Sequence, residues 1–207
     1  TRPKGGSYLK HDGKPGCVVL AAGSASRFGG NKLTAAVEGV ALIRRALSAV
    51  PAERFSRVAV VTQYPEIMDL AEAFSFTPVW NDAPEAGVSR SIALGLGAIG
   101  DCPGALFLVA DQPLLRRESV DALVTLWREK PEGIAALGHR GVRGNPCLFP
   151  ARLFPELLAL QGDRGGAAVI RRHEDLLSLL EVDPRELRDA DTPEALAAIR
   201  AEAAREN

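Results

Sequence analysis

Several protein classes are excluded by what this sequence holds little of. Its 207 residues include only three cysteines, Cys17, Cys102 and Cys147. They are far apart, odd in number and never paired as CxxC, so neither a disulfide framework nor a structural zinc site is expected, and a reducing, cytoplasmic setting fits. The three histidines, His11, His139 and His173, lack zinc-binding spacing and read as solvated. The two tryptophans, Trp80 and Trp127, sit in apolar context and read as core rather than stacking platforms. No excess of either charge is present, the formal net charge being -1. Binding to nucleic acid or an anionic membrane draws on a surplus of Lys and Arg, so neither is an expected partner. No apolar run approaches the roughly 18 residues of a membrane-spanning helix. Glycine (20) and proline (14) are near average, which excludes collagen-like and low-complexity chains.

What is present is an ordinary globular mixture, 46% hydrophobic and 25% charged. A chain of this length buries about 70% of its unfolded surface, enough for a core without staples. The first fifteen residues carry four basic groups and no apolar segment, so 1–15 is expected to be a solvated arm rather than a secretory signal. From Gly16 onward short apolar runs alternate with amphipathic segments. Strands are expected at 17–22, 58–61, 77–80, 105–110, 134–137, 147–149 and 177–182. Pro78 marks the third as an edge or a strand start. Helices are expected at 40–50, 66–74, 89–99, 116–130, 153–160, 166–172 and 193–204, and a Gly-rich turn at 139–144. The alternation implies one α/β domain over 16–207, a mostly parallel, mixed sheet with helices on both faces making three layers. In such sheets ligands gather at the carboxyl ends of the strands, here after Ala22 and after Ala110.

The stretch after the first strand, Leu20 to Leu33, reads LAAGSASRFGGNKL. Small residues and three glycines let the backbone turn sharply and present N–H groups, and Arg27 and Lys32 add two cations. It is neither a Walker A loop nor GxGxxG. A flexible loop with solvated cations is the bland alternative, but the preceding strand and the paired cations favour phosphate binding. Asp111, beyond a buried strand, is either a turn-former before Gln112-Pro113 or a metal ligand. Asp191 with Glu194 makes a capping-box pattern for the last helix, which leaves Asp189 as a second metal candidate. Ser91, at a helix start, is either a cap or a nucleotide contact.

The motifs, in order, resemble those of a known family, the molybdopterin-type nucleotidyltransferases of the NTP-transferase domain class. LAAGSASRFGGNK is similar to the family's LAAGxSxRxGxxK. NDAPEAGVSRSIALGL (81–96), ADQPL (110–114), RGNPCLF (143–149), GDRGG (162–166) and DADTPE (189–194) match its later segments. The chain departs from the pattern at Phe28, Val88, Arg90 and Asn145, three of them where the acceptor is expected. The resemblance implies a Rossmann-like nucleotidyltransferase fold and settles Asp111 as a functional carboxylate. It also implies an Mg2+-dependent transfer of a nucleoside monophosphate with release of pyrophosphate. Leu20, Ala21, Ala22, Gly23, Ser24, Arg27, Lys32, Ser91 and Asp111 would bind the nucleotide, with Arg27, Lys32 and Asp111 catalytic. Asp111 and Asp189 would hold the metal, and Asn145, Pro146 and Asp189 the acceptor. The nearest branch is the molybdenum cofactor cytidylyltransferases. Its members carry Ala where Ala22 stands and use CTP, whereas the guanylyl branch carries Gly. The expected activity is therefore CMP transfer from CTP to the phosphate of the molybdenum–molybdopterin cofactor, with transient contact to a molybdoenzyme or its chaperone. The alternatives are a GTP-using transferase, a transferase to another small phosphorylated acceptor, and a non-catalytic cofactor-delivery protein.

Overall fold

The computed structural model describes residues 13–23 and 31–204. Most of the expected arm lies outside the described residues, as does the loop segment 24–30 with Ser24 and Arg27. Among the described residues, nine strands and seven helices follow one another as β1 (Gly16–Ala21), β2 (Ala36–Val37), β3 (Val40–Ala41), α1 (Leu42–Ser48), β4 (Val58–Thr62), α2 (Pro65–Ala73), β5 (Thr77–Trp80), α3 (Val88–Ile99), β6 (Gly104–Val109), α4 (Arg117–Glu129), β7 (Ile134–His139), β8 (Val142–Pro150), α5 (Phe154–Leu158), α6 (Ala167–Ile170), β9 (Leu177–Glu181) and α7 (Pro193–Ala203). The main sheet has seven strands in the order β5-β4-β1-β6-β8-β7-β9. β8 runs antiparallel to both its neighbours, and the other pairs are parallel. As Pro78 foretold, β5 is an edge strand.

The continuous apolar runs are strands covered on both faces. Their side chains alternate between two cores. Cys17, Val19 and Ala21 of β1, with Leu106 and Leu108 of β6, belong to one core. Val18 of β1, with Ala105 and Phe107 of β6, belongs to the other. Helix α4 covers the first core with Val120, Leu123, Val124 and Trp127, whose i, i+3, i+4, i+7 spacing puts them on one stripe, all buried. Helix α3 covers the second with Ile92, Leu96 and Ile99. A small third core joins Val37 and Leu42 to Ala190 and to Leu196, Ile199 and Ala203, seating α7 beside the β2–β3 ribbon.

Three expectations need correction. The turn at 139–144 is much tighter, because His139 pairs with Val142 across a two-residue loop. Arg140 and Gly141 both have positive φ, 50° and 76°, as a type I′ hairpin requires. β8 therefore begins at Val142, and Asn145 lies in a strand. Trp80 is not core: on the edge strand it is 47% exposed, whereas Trp127 is buried as expected. The histidines within the described residues are engaged rather than free. His139 Nδ1 lies 3.0 Å from the Val182 carbonyl oxygen, and His173 Nε2 lies 2.6 Å from Glu156 Oε1.

Candidate active site

The carboxyl end of β1 is held open by its neighbour. Thr62, the last residue of β4, and Gln63 and Tyr64 after it donate side-chain hydrogen bonds to the carbonyls of Ala21 (3.0 Å), Ala22 (2.7 Å) and Gly23 (3.1 Å). Across a trans peptide the next N–H points the opposite way. The amides of Ala22 and Gly23, which follow the first two carbonyls, therefore face away from β4, at a strand end where a cavity of about 350 Å³ opens. Leu20, Ala21, Ala22, Gly23, Lys32, Ser91 and Asp111 all line it, as do Asp163 and Asp191. Seven of the nine residues expected to bind nucleotide are thus gathered on one cavity; the other two, Ser24 and Arg27, lie outside the described residues.

Lys32 opens a short 3₁₀ turn. Asn31 caps the turn by accepting from the Leu33 amide at 3.1 Å, and Leu33 is buried as its anchor. The ammonium group lies between two carboxylates, 2.7 Å from Asp111 Oδ2 and 2.8 Å from Asp191 Oδ1. Burial alone would push its pKa down, but the fields and hydrogen bonds of Asp111 and then Asp191 prevail and push it up. Lys32 is a held cation. A lysine placed for triphosphate is expected to look this way before the phosphates displace its carboxylates.

Asp191 was missed as a site residue because the capping pattern seemed to use it. The cap is instead Thr192, one residue later, whose hydroxyl accepts from the Ala195 amide at 3.1 Å. That frees Asp191 for Lys32. Between the two aspartates, Ala190 is fully buried in the third core, and its N–H donates to the Asp111 carbonyl at 2.8 Å. The segment is thereby stitched to the end of β6, within electrostatic reach of Asp111 and Lys32. The usable sequence signal was the DxD spacing followed directly by a second capping residue, Thr192.

Asp189 accepts from Gln112 Nε2 at 2.9 Å. Although the residue sits on the rim, desolvation of its carboxyl group and, second, the Asp111 carboxylate push its pKa up to about 6. With Asn145, Arg143 and Gln112 it lines a separate, open cavity of about 520 Å³ across β8. Pro146 is buried in β8 and lines none of these cavities; its bond to Asn145 is cis. Of the three residues expected to bind the acceptor, the structure therefore brings Asn145 and Asp189 together and leaves Pro146 in the packing.

Ser91 is not a helix cap. It lies in the first turns of α3, 5% exposed, and accepts from Asn81 Nδ2 at 3.1 Å. Asn81, itself buried, is fixed by accepting from the Ala83 amide. That leaves the Ser91 hydroxyl proton for a ligand in the cavity. Arg90, one of the departures from the family pattern, pairs with Asp82.

A hard divalent cation can be tested against these side chains. Asp111 and Asp191 both pair with Lys32, and Asp189, its pKa raised by desolvation first and by the Asp111 carboxylate second, stands within electrostatic reach of them. Among the described residues no three such side chains converge as a ready-made cage. Mg2+ is bound by one or two carboxylates completed by phosphate oxygens and water, and that is what this arrangement offers.

A cavity over the carboxyl ends of β1 and β6, walled by a glycine-bearing turn, a lysine and a carboxylate, defines a nucleotide-handling enzyme on a nucleotidyltransferase fold. The solved structure of a nucleotidyl transferase from Methanothermobacter shares that fold with a TM-score of 0.78 at 22% identity, covering 94% of this chain and 99% of that one. The chain belongs to the MobA-like NTP transferase domain family, whose pattern it matches over residues 17–176. It is 30% identical over 191 residues to the purine catabolism protein PucB of Bacillus subtilis, covering 86% of this chain and 91% of PucB. It is 31% identical over 194 residues to a probable molybdenum cofactor guanylyltransferase of Nostoc, covering 89% and 90%.

Proposed function

We propose that this nucleotidyltransferase moves CMP from CTP to the phosphate of the molybdenum–molybdopterin cofactor, with Mg2+. An oxygen of the acceptor phosphate forms the new bond to the α-phosphorus, the bond from that phosphorus to the β-phosphate bridging oxygen breaks, and pyrophosphate leaves. Asp111, with Asp189, would hold the metal, which supplies charge neutralisation at the phosphates. Lys32 exchanges its carboxylate partners for phosphate oxygens and meets the charge that grows on the leaving pyrophosphate. The amides following Ala21 and Ala22 bind phosphate or base from the floor of the cavity. No side-chain base is required, because an acceptor phosphate is ionised at neutral pH. The domain reading keeps residues 16–207 as the transferase unit and 1–15 as an arm.

The observation that carries the choice of CTP is Ala22. Ala22 lines the nucleotide cavity, at the position where the guanylyl branch carries glycine. A guanylyl reading is favoured by the name of the Nostoc relative. Thermal shift separates them, since a ligand bound only by the native state stabilises it by RT ln(1 + [L]/Kd). CTP with Mg2+ is expected to raise the melting temperature more than GTP at equal concentration. An equal or larger shift with GTP assigns the purine nucleotide instead.

A further inference from the structure

Beside the nucleotide cavity lies a second slot, of about 240 Å³, bordered by α3 and α6. Its walls include the buried side chains of Ile92, Phe107, Phe149 and Leu157. It shares Leu20, Val88, Val109 and Asp163 with the nucleotide cavity, so occupants of the two would touch. Its volume is below the roughly 300–1,000 Å³ of whole-ligand pockets, which suits one flat ring system of a larger molecule. The phenylalanines, edge to face with centroids 5.9 Å apart, give such a ring an aromatic wall.

The polar groups of the slot are Arg143, Asn145 and Asp163. Asp163 stands where the two cavities meet, and its carboxylate has no hydrogen-bond or ion-pair partner among the described residues. Its placement is built into the backbone. Gly87, with φ 85°, lets the 162–163 segment lie against the start of α3; a Cβ there would come within 2.3 Å of the Gly162 carbonyl carbon and 2.7 Å of Asp163 Oδ1. The Ser89 amide, donating to the Gly162 carbonyl at 3.1 Å, ties the same segment down.

We infer that this slot holds the ring of the acceptor, and that Asp163 reads a pair of adjacent N–H donors on its edge, as on a 2-amino-4-oxopyrimidine ring. This rests on the proposed cofactor acceptor. A carboxylate accepts two parallel N–H bonds from such an edge, as it does from a guanidinium. Apolar walls cover the faces of the ring, Asp163 meets its edge at the exposed mouth, and the adjoining cavity places the ring within one molecule's reach of the nucleotide phosphates.

The test uses pterin (2-amino-4-oxopteridine) and lumazine, which carries a carbonyl in place of the 2-amino group, with and without CMP. Fluorescence titration of the full chain is expected to show pterin binding at least tenfold tighter than lumazine. Asp163→Asn replaces one acceptor by a donor, which opposes the 2-amino group of pterin and matches the carbonyl of lumazine; it is expected to lose at least tenfold on pterin while lumazine binding tightens and the ligand-free melting temperature stays unchanged. Asp163→Glu, folded by the same melting criterion, should recover part of the pterin affinity. No pterin binding by the wild-type chain, equal binding of the two pteridines, or an Asp163→Asn loss confined to CTP overturns the inference. Absent CTP and GTP shifts with pterin selectivity intact would instead sink the nucleotidyl reading and leave the slot.

Discussion

At the scale of single residues, Lys32 and its two carboxylates set the chemistry. An ammonium that meets charge developing on a leaving group acts chiefly in the transition state, and a uniform binding contact does not. Lys32→Ala is therefore expected to lower kcat more than it raises KM in steady-state pyrophosphate release. A raised KM with normal kcat would place Lys32 in ground-state binding only. Most of this site was legible in the residues themselves: a glycine-bearing turn with cations after a buried strand, and an aspartate at the end of another. What escaped was whatever depended on which residue caps a helix. Asp191 and Thr192 are both good N-caps, and one step of register decides whether the aspartate is spent on a helix end or faces Lys32. Ser91 was ambiguous for the same reason. Only its burial against Asn81 shows that it is no cap.

At the scale of elements, two junctions position the site. Gly87 lets the 162–163 segment cross the start of α3, in a left-handed conformation that side chains seldom adopt. Gly87→Ala meets both backbone strain and collision with the Gly162 carbonyl, and is expected to cost about 1–3 kcal/mol in denaturant unfolding, with weakened nucleotide binding. A variant of wild-type stability would mean that the crossing is loose. The second junction fastens α5 to the segment after α6, where Glu156 pairs with His173 and Arg172. His173 first, and Arg172 with it, hold the Glu156 carboxyl below its usual pKa. A depressed pKa stabilises the fold above the unfolded value and loses that contribution as pH falls through the folded one. Glu156→Gln is accordingly expected to lower the melting temperature at pH 7, and the gap should close as the pH falls below the ordinary carboxylate range. A gap that is constant with pH would exclude the ion pair as its cause. The regular elements were readable from periodicity. The short hairpin was not, because Arg140 is an unusual occupant of a left-handed turn position, and the β2–β3 ribbon is too short for any pattern to show.

At the scale of the whole molecule, the parallel strands bring β1 and β6 side by side, so that two loops far apart in sequence meet over one cavity. The sheet's departure from parallel order at β8 does something different: it carries Arg143 and Asn145 back to the same rim from the other direction. The alternation of apolar and amphipathic segments made the α/β architecture predictable, because buried parallel strands need covering on both faces. The order of strands beyond β6 followed from no local signal, since register and neighbour choice are decided by long-range packing. The slot beside Asp163 was equally hidden, because β1, α3, β6, β8, α5 and α6 all contribute to it and meet only in the folded chain.

The central claim, metal-assisted cytidylyl transfer centred on Asp111, is tested most directly by pyrophosphate release. The wild-type chain and Asp111→Asn are compared with CTP, GTP, ATP and UTP, Mg2+ and the phosphorylated pterin cofactor. The substitution keeps the shape and removes the charge that holds a hard cation, so stability should stay within about 1 kcal/mol of wild type. The expected result is acceptor-dependent release that is fastest with CTP and falls by orders of magnitude in the variant. A folded Asp111→Asn protein with wild-type turnover, or a wild-type chain that prefers GTP, would contradict it.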